Sequence, residues 1–211
     1  MKNLYEIYEI FLAHYGDPEW WPAKTPYEVI VGAVLTQNTN WSNVEKAIAN
    51  FGDNLSPEFI MQTDLEALAE IIKPAGFFNQ KSRYLKAVTT WYSRYNFNVE
   101  TVMQNNLHKI RRELLAVDGI GKETADDILL YAFGFPTFVV DAYTKRLISR
   151  LPVKLEDCGY DGIKKYFESN LPKYSEIYNN FHAFIVINAK KHCKKIPTCG
   201  GCPLESVCEK T

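Results

Sequence analysis

No run of apolar residues in this chain approaches the roughly 18 to 20 that a membrane-spanning helix needs. The opening stretch MKNLYEIYEIFLAHYG interrupts its apolar positions with Glu6 and Glu9, so neither a signal peptide nor a membrane anchor is visible and a cytoplasmic location is expected. Period-two alternation is missing apart from a few residues around Phe138 to Val140, which leaves no material for a sheet of useful size. Internal repeats, low-complexity segments and long linkers are absent too, which excludes solenoids and loosely tethered modules. Histidine occurs only four times, as His14, His108, His182 and His192. None stands where a hydrolytic triad or a general acid would need it, and each reads as packed or solvated. An excess of charge of one sign is also lacking, with 24 basic against 25 acidic side chains. That balance does not exclude a nucleic-acid face, because Lys190, Lys191, Lys194 and Lys195 crowd near the C-terminus.

What the chain has is amphipathic helix. Its 211 residues, 46% of them hydrophobic, can bury a sizeable core in one large domain or two small ones. Leu4, Tyr8, Phe11, Leu12 and Tyr15 fall on one helical face. Thr25-Pro26-Tyr27-Glu28 reads as a capping box with proline at the first helical position, and Ser42-Asn43-Val44-Glu45 repeats the device. Ser56-Pro57 opens another helix, and the stripe Leu65, Leu68, Ile71, Ile72 is ended by Pro74 and Gly76. The fold class expected is all-α.

Three constellations carry chemistry. In Asp118-Gly119-Ile120-Gly121-Lys122, between two helical stripes, the glycines permit a sharp turn and let an anion approach the amides that start the second helix. A plain αα-hairpin that needs two glycines explains the same residues. A dinucleotide fingerprint does not, because Thr124 replaces its third glycine and a helix replaces its strand. The second constellation is a lone acid, Asp141, placed where a helix would begin. It suits an N-cap, and it equally suits an anion facing a developing cation. Third, Cys193, Cys199, Cys202 and Cys208 fall within the last nineteen residues, as four thiolates around zinc or an iron–sulfur cluster would. Cys158 stands apart and is expected to be a core thiol.

Residues 114 to 147 resemble the helix-hairpin-helix and following Gly/Pro/Asp segment of the endonuclease III superfamily of DNA glycosylases. The resemblance implies a hairpin that grips the DNA backbone through Gly119, Gly121, Lys122 and Thr124, with a monovalent cation held at the hairpin carbonyls. It makes Asp141 the catalytic residue, stabilising a cationic sugar at C1′ and orienting or deprotonating the attacking water. Bifunctional members carry a lysine nucleophile two residues after the second hairpin glycine, where this chain has Glu123. Lys122 comes one place too early, a rotation of about 100° on a helix. A monofunctional enzyme with weak or absent AP-lyase activity is therefore expected.

The tail HCKKIPTCGGCPLESVC resembles the superfamily's [4Fe–4S] loop, its first gap one residue shorter than is usual. That implies a cluster on Cys193, Cys199, Cys202 and Cys208, with zinc as the alternative. EWWPAKTPYEVIVGAVLTQNTNW and GFFNQKSRYL resemble the 3-methyladenine glycosylase branch. Trp20, Trp21 and Trp41 thereby become candidate walls of a base pocket, although core packing explains a single tryptophan as well. Gln37 and Asn38 become candidates to probe the duplex. An N3- or N7-alkylated purine is cationic, so it leaves readily and suits an indole face.

The resemblance further implies two helical domains, one of residues 1–25 and 137–211 with the cluster loop at 187–211. The other is a six-helix barrel over 26–136, with the helix-hairpin-helix at about 110–132. DNA would lie between the two, with Asp141 facing the hairpin. The function expected is base excision from double-stranded DNA carrying a damaged base, by a monomer, on a substrate such as 3-methyladenine. Alternatives are a glycosylase for oxidised pyrimidine, uracil or a mismatched base, and a non-catalytic DNA-binding iron–sulfur protein in which Asp141 is only a cap.

Overall fold

Side-chain caps decide where the helices begin. In the computed structural model, which describes residues 3–18 and 20–209, Asn3 opens α1 (Leu4–Tyr15) with a reciprocal box. Its side chain accepts the Glu6 amide at 2.9 Å, and the Glu6 carboxylate accepts the Asn3 amide at 3.0 Å. Thr25 caps α2 (Pro26–Leu35), but Glu28 reaches the Lys24 amide at 3.2 Å instead of that of Thr25, so only half of the expected box forms. α3 (Trp41–Ala49) starts before Ser42. Asn40 takes the cap because its carboxamide oxygen accepts both the Asn43 amide and the Ser42 hydroxyl.

Ser56 caps α4 (Pro57–Gln62) as the sequence predicts, and α5 (Leu65–Ile71), α6 (Phe78–Ser93), α7 (Val99–Met103) and α8 (Leu107–Leu115) follow. α9 (Lys122–Asp127) continues into a π-helical turn over Ile128–Ala132. α10 (Ala142–Ile148), α11 (Tyr160–Asn170) and α12 (Ser175–Lys191) complete the order. No strand forms among the described residues, and the protein is all-α. None of the described helices is long and apolar enough to cross a membrane.

The chain divides into two compact units, one of Met1–Pro22 with Pro136–Thr211 and one of Ala23–Phe135. The Ala23–Phe135 unit holds α2 to α9 around Ile30, Val34, Leu35, Leu85, Val88 and Trp91, all buried. Polar ties brace this core. Glu113 on α8 accepts the Trp91 indole N–H at 3.1 Å and the Tyr95 hydroxyl at 2.7 Å. Arg111 on α8 grips the fully buried Asp126 on α9 with two hydrogen bonds of 2.8 and 3.0 Å. A bidentate pair fixes angle as well as distance, so the two helices flanking residues 116–121 are clamped together.

The other unit packs α1, α10, α11 and α12 around aromatic rings. Phe138 stacks on Phe167 at 4.1 Å, and Tyr8 and Phe11 lie against Phe181 and Phe184 of α12. α10 packs along α12, which carries the start of α10 to the middle of α12. Cys158 corrects an expectation: its thiol is exposed, in a loop whose apolar residues are too few to enclose it.

Candidate functional site

The two hairpin glycines do different work. Gly119 has φ +79°, and a Cβ added there would lie 2.1 to 2.4 Å from carbons of the Tyr84 ring. Left-handed backbone and ring contact both demand glycine at this position. Gly121 is extended at φ −83°, a conformation open to any residue, and nothing lies within 4 Å of where its Cβ would be. What its missing side chain provides is open space in front of the first amides of α9.

Gln37, from the loop after α2, donates its side-chain amide to the Gly119 carbonyl at 2.9 Å and to the Thr124 hydroxyl at 3.0 Å. It therefore ties its loop to the hairpin, while the next residue, Asn38, is exposed with φ +54°. Gln37, Asn38, Gly119, Gly121, Glu123 and Thr124 line one open pocket of about 320 Å³. Of the two residues compared for lysine chemistry, Glu123 lines that pocket and Lys122 does not.

Two neighbouring residues were not singled out from sequence. Phe77, before α6, is 63% exposed and holds φ +48°. The ring stands in solvent on left-handed backbone, which a bulky residue adopts only at a cost. Lys81 is the second, with only 2% exposure. Its Nζ donates to the Leu35 carbonyl at 2.7 Å and the Ala75 carbonyl at 2.8 Å, and burial lowers its pKa to about 8. One ammonium thus holds the ends from which both the Asn38 and the Phe77 loops depart.

In the other unit, Asp141 is the N-cap of α10 and accepts the Thr144 amide at 2.7 Å. Its side chain is 14% exposed, and His182 Nε2 of α12 lies 3.6 Å from Oδ2. Burial works against the charge, but the contact and charge of His182 and the Thr144 amide outweigh it and hold the carboxyl below its usual range. The acid is thus a fixed anion. His182, read from sequence as packed or solvated, is packed, and its packing is against this acid.

α12 also reaches the tryptophans. Asn179 donates to the Trp20 carbonyl at 3.1 Å, and it lies three residues from His182, about 4.5 Å along a helix axis. Trp20 meets Trp21 edge to face at 6.4 Å, and Lys190 Nζ stands 5.9 Å from the Trp20 ring centre. Both indoles are half-buried, and the Trp20 N–H is enclosed without a hydrogen-bond partner. Trp41, the third candidate, is the first residue of α3 in the Ala23–Phe135 unit.

The chain thus carries a hairpin with one obligate glycine, followed by an aspartate that caps the next helix. Residues 31–173 match the HhH-GPD superfamily of base excision DNA repair proteins. The chain belongs to that superfamily. This HhH-GPD protein is 50% identical to MJ1434 of Methanocaldococcus jannaschii, whose name assigns it provisionally to the DNA repair glycosylases, over 98% of this chain and 96% of that one. The crystal structure of the H. pylori 3-methyladenine DNA glycosylase MagIII bound to 1,N6-ethenoadenine is 29% identical, with TM-score 0.77 over 90% of this chain and 98% of that one. A trapped endonuclease III–DNA covalent intermediate has TM-score 0.80 over 100% and 97% of the two chains, at 22% identity, and so shares the fold. The HhH-GPD chain is a DNA glycosylase of that superfamily.

The cysteine tail of the HhH-GPD chain forms one further site. Cys193, Cys199, Cys202 and Cys208 line a single pocket beside α12, with Arg150 and Asn188. Arg150 donates to the Cys193 sulfur and the Lys194 carbonyl, both at 2.9 Å, and Arg146 donates to the Cys193 carbonyl at 2.7 Å. Burial pushes the Cys208 thiol up to about 11, and Cys202, Cys193 and Cys199 push the same way, as thiols sharing one enclosure do. Among the described residues no three or more His, Cys, Asp or Glu stand close enough together to hold a single metal ion.

Proposed function

We propose that this glycosylase is monofunctional and hydrolyses the N-glycosidic bond of a flipped alkylated purine such as 3-methyladenine. The observation that carries the monofunctional reading is Glu123 on the lining of the hairpin pocket. An amine placed there could attack the sugar as a nucleophile, whereas a carboxylate forms no Schiff base. Likeness to MagIII supports the alkylpurine, as does a half-buried pair of indoles whose faces attract cations. A base that already carries positive charge leaves without a strong general acid.

In this reading the amides beginning α9 and the side chains of Lys122 and Thr124 hold a backbone phosphate in the space that Gly121 leaves open. Asn38 and Phe77 enter the duplex where the damaged base has left. Trp20 and Trp21 wall the extruded base, and Trp41 is a further candidate for stacking on it. Asp141 stabilises the developing oxocarbenium ion and orients or deprotonates the attacking water. Carbonyls of the hairpin would hold a monovalent cation.

The four-thiol pocket fits a [4Fe–4S] cluster held by Cys193, Cys199, Cys202 and Cys208. Its donors are all soft sulfurs, and Arg150 supplies positive charge at the pocket. A single zinc would need four sulfurs at about 2.3 Å from one point, a tighter gathering than a cluster that gives each thiolate its own iron. The cluster would be a structural or redox centre, and Arg146 and Arg150 hold the Cys193 end of the loop that would carry it. Protein purified without oxygen should contain about four irons per chain and absorb in the violet, and zinc without iron would overturn the assignment.

Excision assays on duplexes carrying 3-methyladenine, ethenoadenine, thymine glycol, uracil or a G·T mismatch test the substrate. Alkylated or etheno purines should be released fastest, and borohydride should trap no covalent adduct on abasic DNA. Activity confined to thymine glycol would refute the alkylpurine reading, and efficient trapping would refute the monofunctional one.

A further inference from the structure

His182 is a buried imidazole against the reacting acid, and the chemistry above leaves it unused. Its side chain is 6% exposed, and its Nε2 lies 3.6 Å from Asp141 Oδ2. Phe138 meets the ring edge to face at 6.4 Å. Asp141 Oδ1 is already fixed by the Thr144 amide, so the second oxygen is the one whose direction remains to be set. A separation of 3.6 Å is longer than a hydrogen bond, and contacts of this kind tighten when substrate closes the site.

We infer that His182 is a positioning residue for Asp141, directing its second carboxylate oxygen so that the acid meets the sugar and the water in one orientation. The inference rests on the reading of Asp141 as the catalytic acid.

The charged and titratable groups around the pair are few. α10 contributes Asp141 itself. α1, packed on α12, presents Tyr8 and Tyr15, whose pKa burial raises, the second to about 12. α11 brings Glu168 to Tyr178, one helical turn before His182. On α12 Glu176 acts on Tyr8, while Lys190 and Lys191 lie over Trp20 and Tyr15. Among these, His182 is the group that holds the Asp141 carboxyl down. Its loss removes part of what offsets burial, so the carboxyl is moved toward taking up its proton at higher pH, with the Thr144 contacts still opposing.

Two variants test the inference, assayed by single-turnover excision on the duplex of the lesion panel that the wild type cleaves fastest. His182→Phe keeps a ring and removes the donor, and His182→Gln keeps a donor without an imidazole. The phenylalanine variant should lose about 10- to 100-fold in the excision rate, the equivalent of one charge-assisted hydrogen bond, with duplex affinity unchanged. Its acid limb should move up by about one to two pH units, the same energy expressed as protonation. Glutamine should restore most of the rate while the limb stays raised. If the phenylalanine variant melts early, the limb of the glutamine variant decides. Wild-type rates and limbs in both variants, with Asp141→Asn inactive, would overturn the role of His182 and leave the proposed function standing. Full excision by Asp141→Asn would overturn the reading of the acid instead.

Discussion

Asp141→Asn should lower single-turnover base excision by about 10²- to 10⁴-fold, the range attributable to one positioned acid–base group, while duplex binding is retained. The substitution separates chemistry from folding because asparagine caps a helix as well as aspartate does. Its carboxamide oxygen can still accept the Thr144 amide that Asp141 accepts at 2.7 Å, so α10 keeps its start. Lost activity in a protein that still folds cooperatively then reports on the missing negative charge. Asp141→Ala is the less informative variant, because it also removes the cap, at a cost of about 1 kcal/mol. A non-catalytic iron–sulfur protein would instead show no excision to lose in the wild type, with DNA binding equal in both.

The pH dependence has a definite sign. The folded pKa of Asp141 lies below its ordinary value, so its ionisation favours the folded state. That contribution is fully present above the unfolded value, about 3.9, and is lost as pH falls through the lower folded value. Excision that depends on the carboxylate should persist to the acid side of an ordinary aspartate. Chemical denaturation of wild type and Asp141→Asn across pH 3 to 7 checks the stability half: the difference between them should shrink at the acid end.

Asp141 was legible in the sequence both as a cap and as a candidate acid, because both properties depend on residues a few places away. His182 was not, since its meaning comes from α12 packing along α10, and a lone histidine carries no sign of that. Lys81 was hidden for a related reason. A lysine in an amphipathic stretch reads as solvated, and only the convergence of the Leu35 and Ala75 carbonyls explains its burial. Ser42 misled because two potential caps stood two residues apart and Asn40 could satisfy both the Asn43 amide and the Ser42 hydroxyl. Phe77 stood in the sequence only as part of the motif GFFNQKSRYL, with no role of its own. Its exposure follows from the left-handed backbone between Gly76 and α6, which composition does not encode.

The hairpin yields the second large prediction, because its glycines are required for different reasons. Gly119→Ala should destabilise the fold by about 3 kcal/mol, the left-handed strain of one residue together with an overpacked ring. The new methyl would stand 2.1 to 2.4 Å from carbons of the Tyr84 ring. Either the ring leaves, or the turn opens and Gln37 loses the Gly119 carbonyl that it grips at 2.9 Å. DNA affinity and stability should therefore fall together. Gly121→Ala meets neither obstacle, so its melting temperature should match the wild type within about 0.5 kcal/mol of stability, as for an unstrained surface change. Its methyl does enter the space in front of the α9 amides, where a phosphate must come close, so duplex affinity should drop without a change in melting. Calorimetry beside a binding titration at fixed salt separates the two cases. If Gly121→Ala binds duplex as tightly as the wild type, the phosphate does not sit against those amides, and Gly119 serves the fold alone.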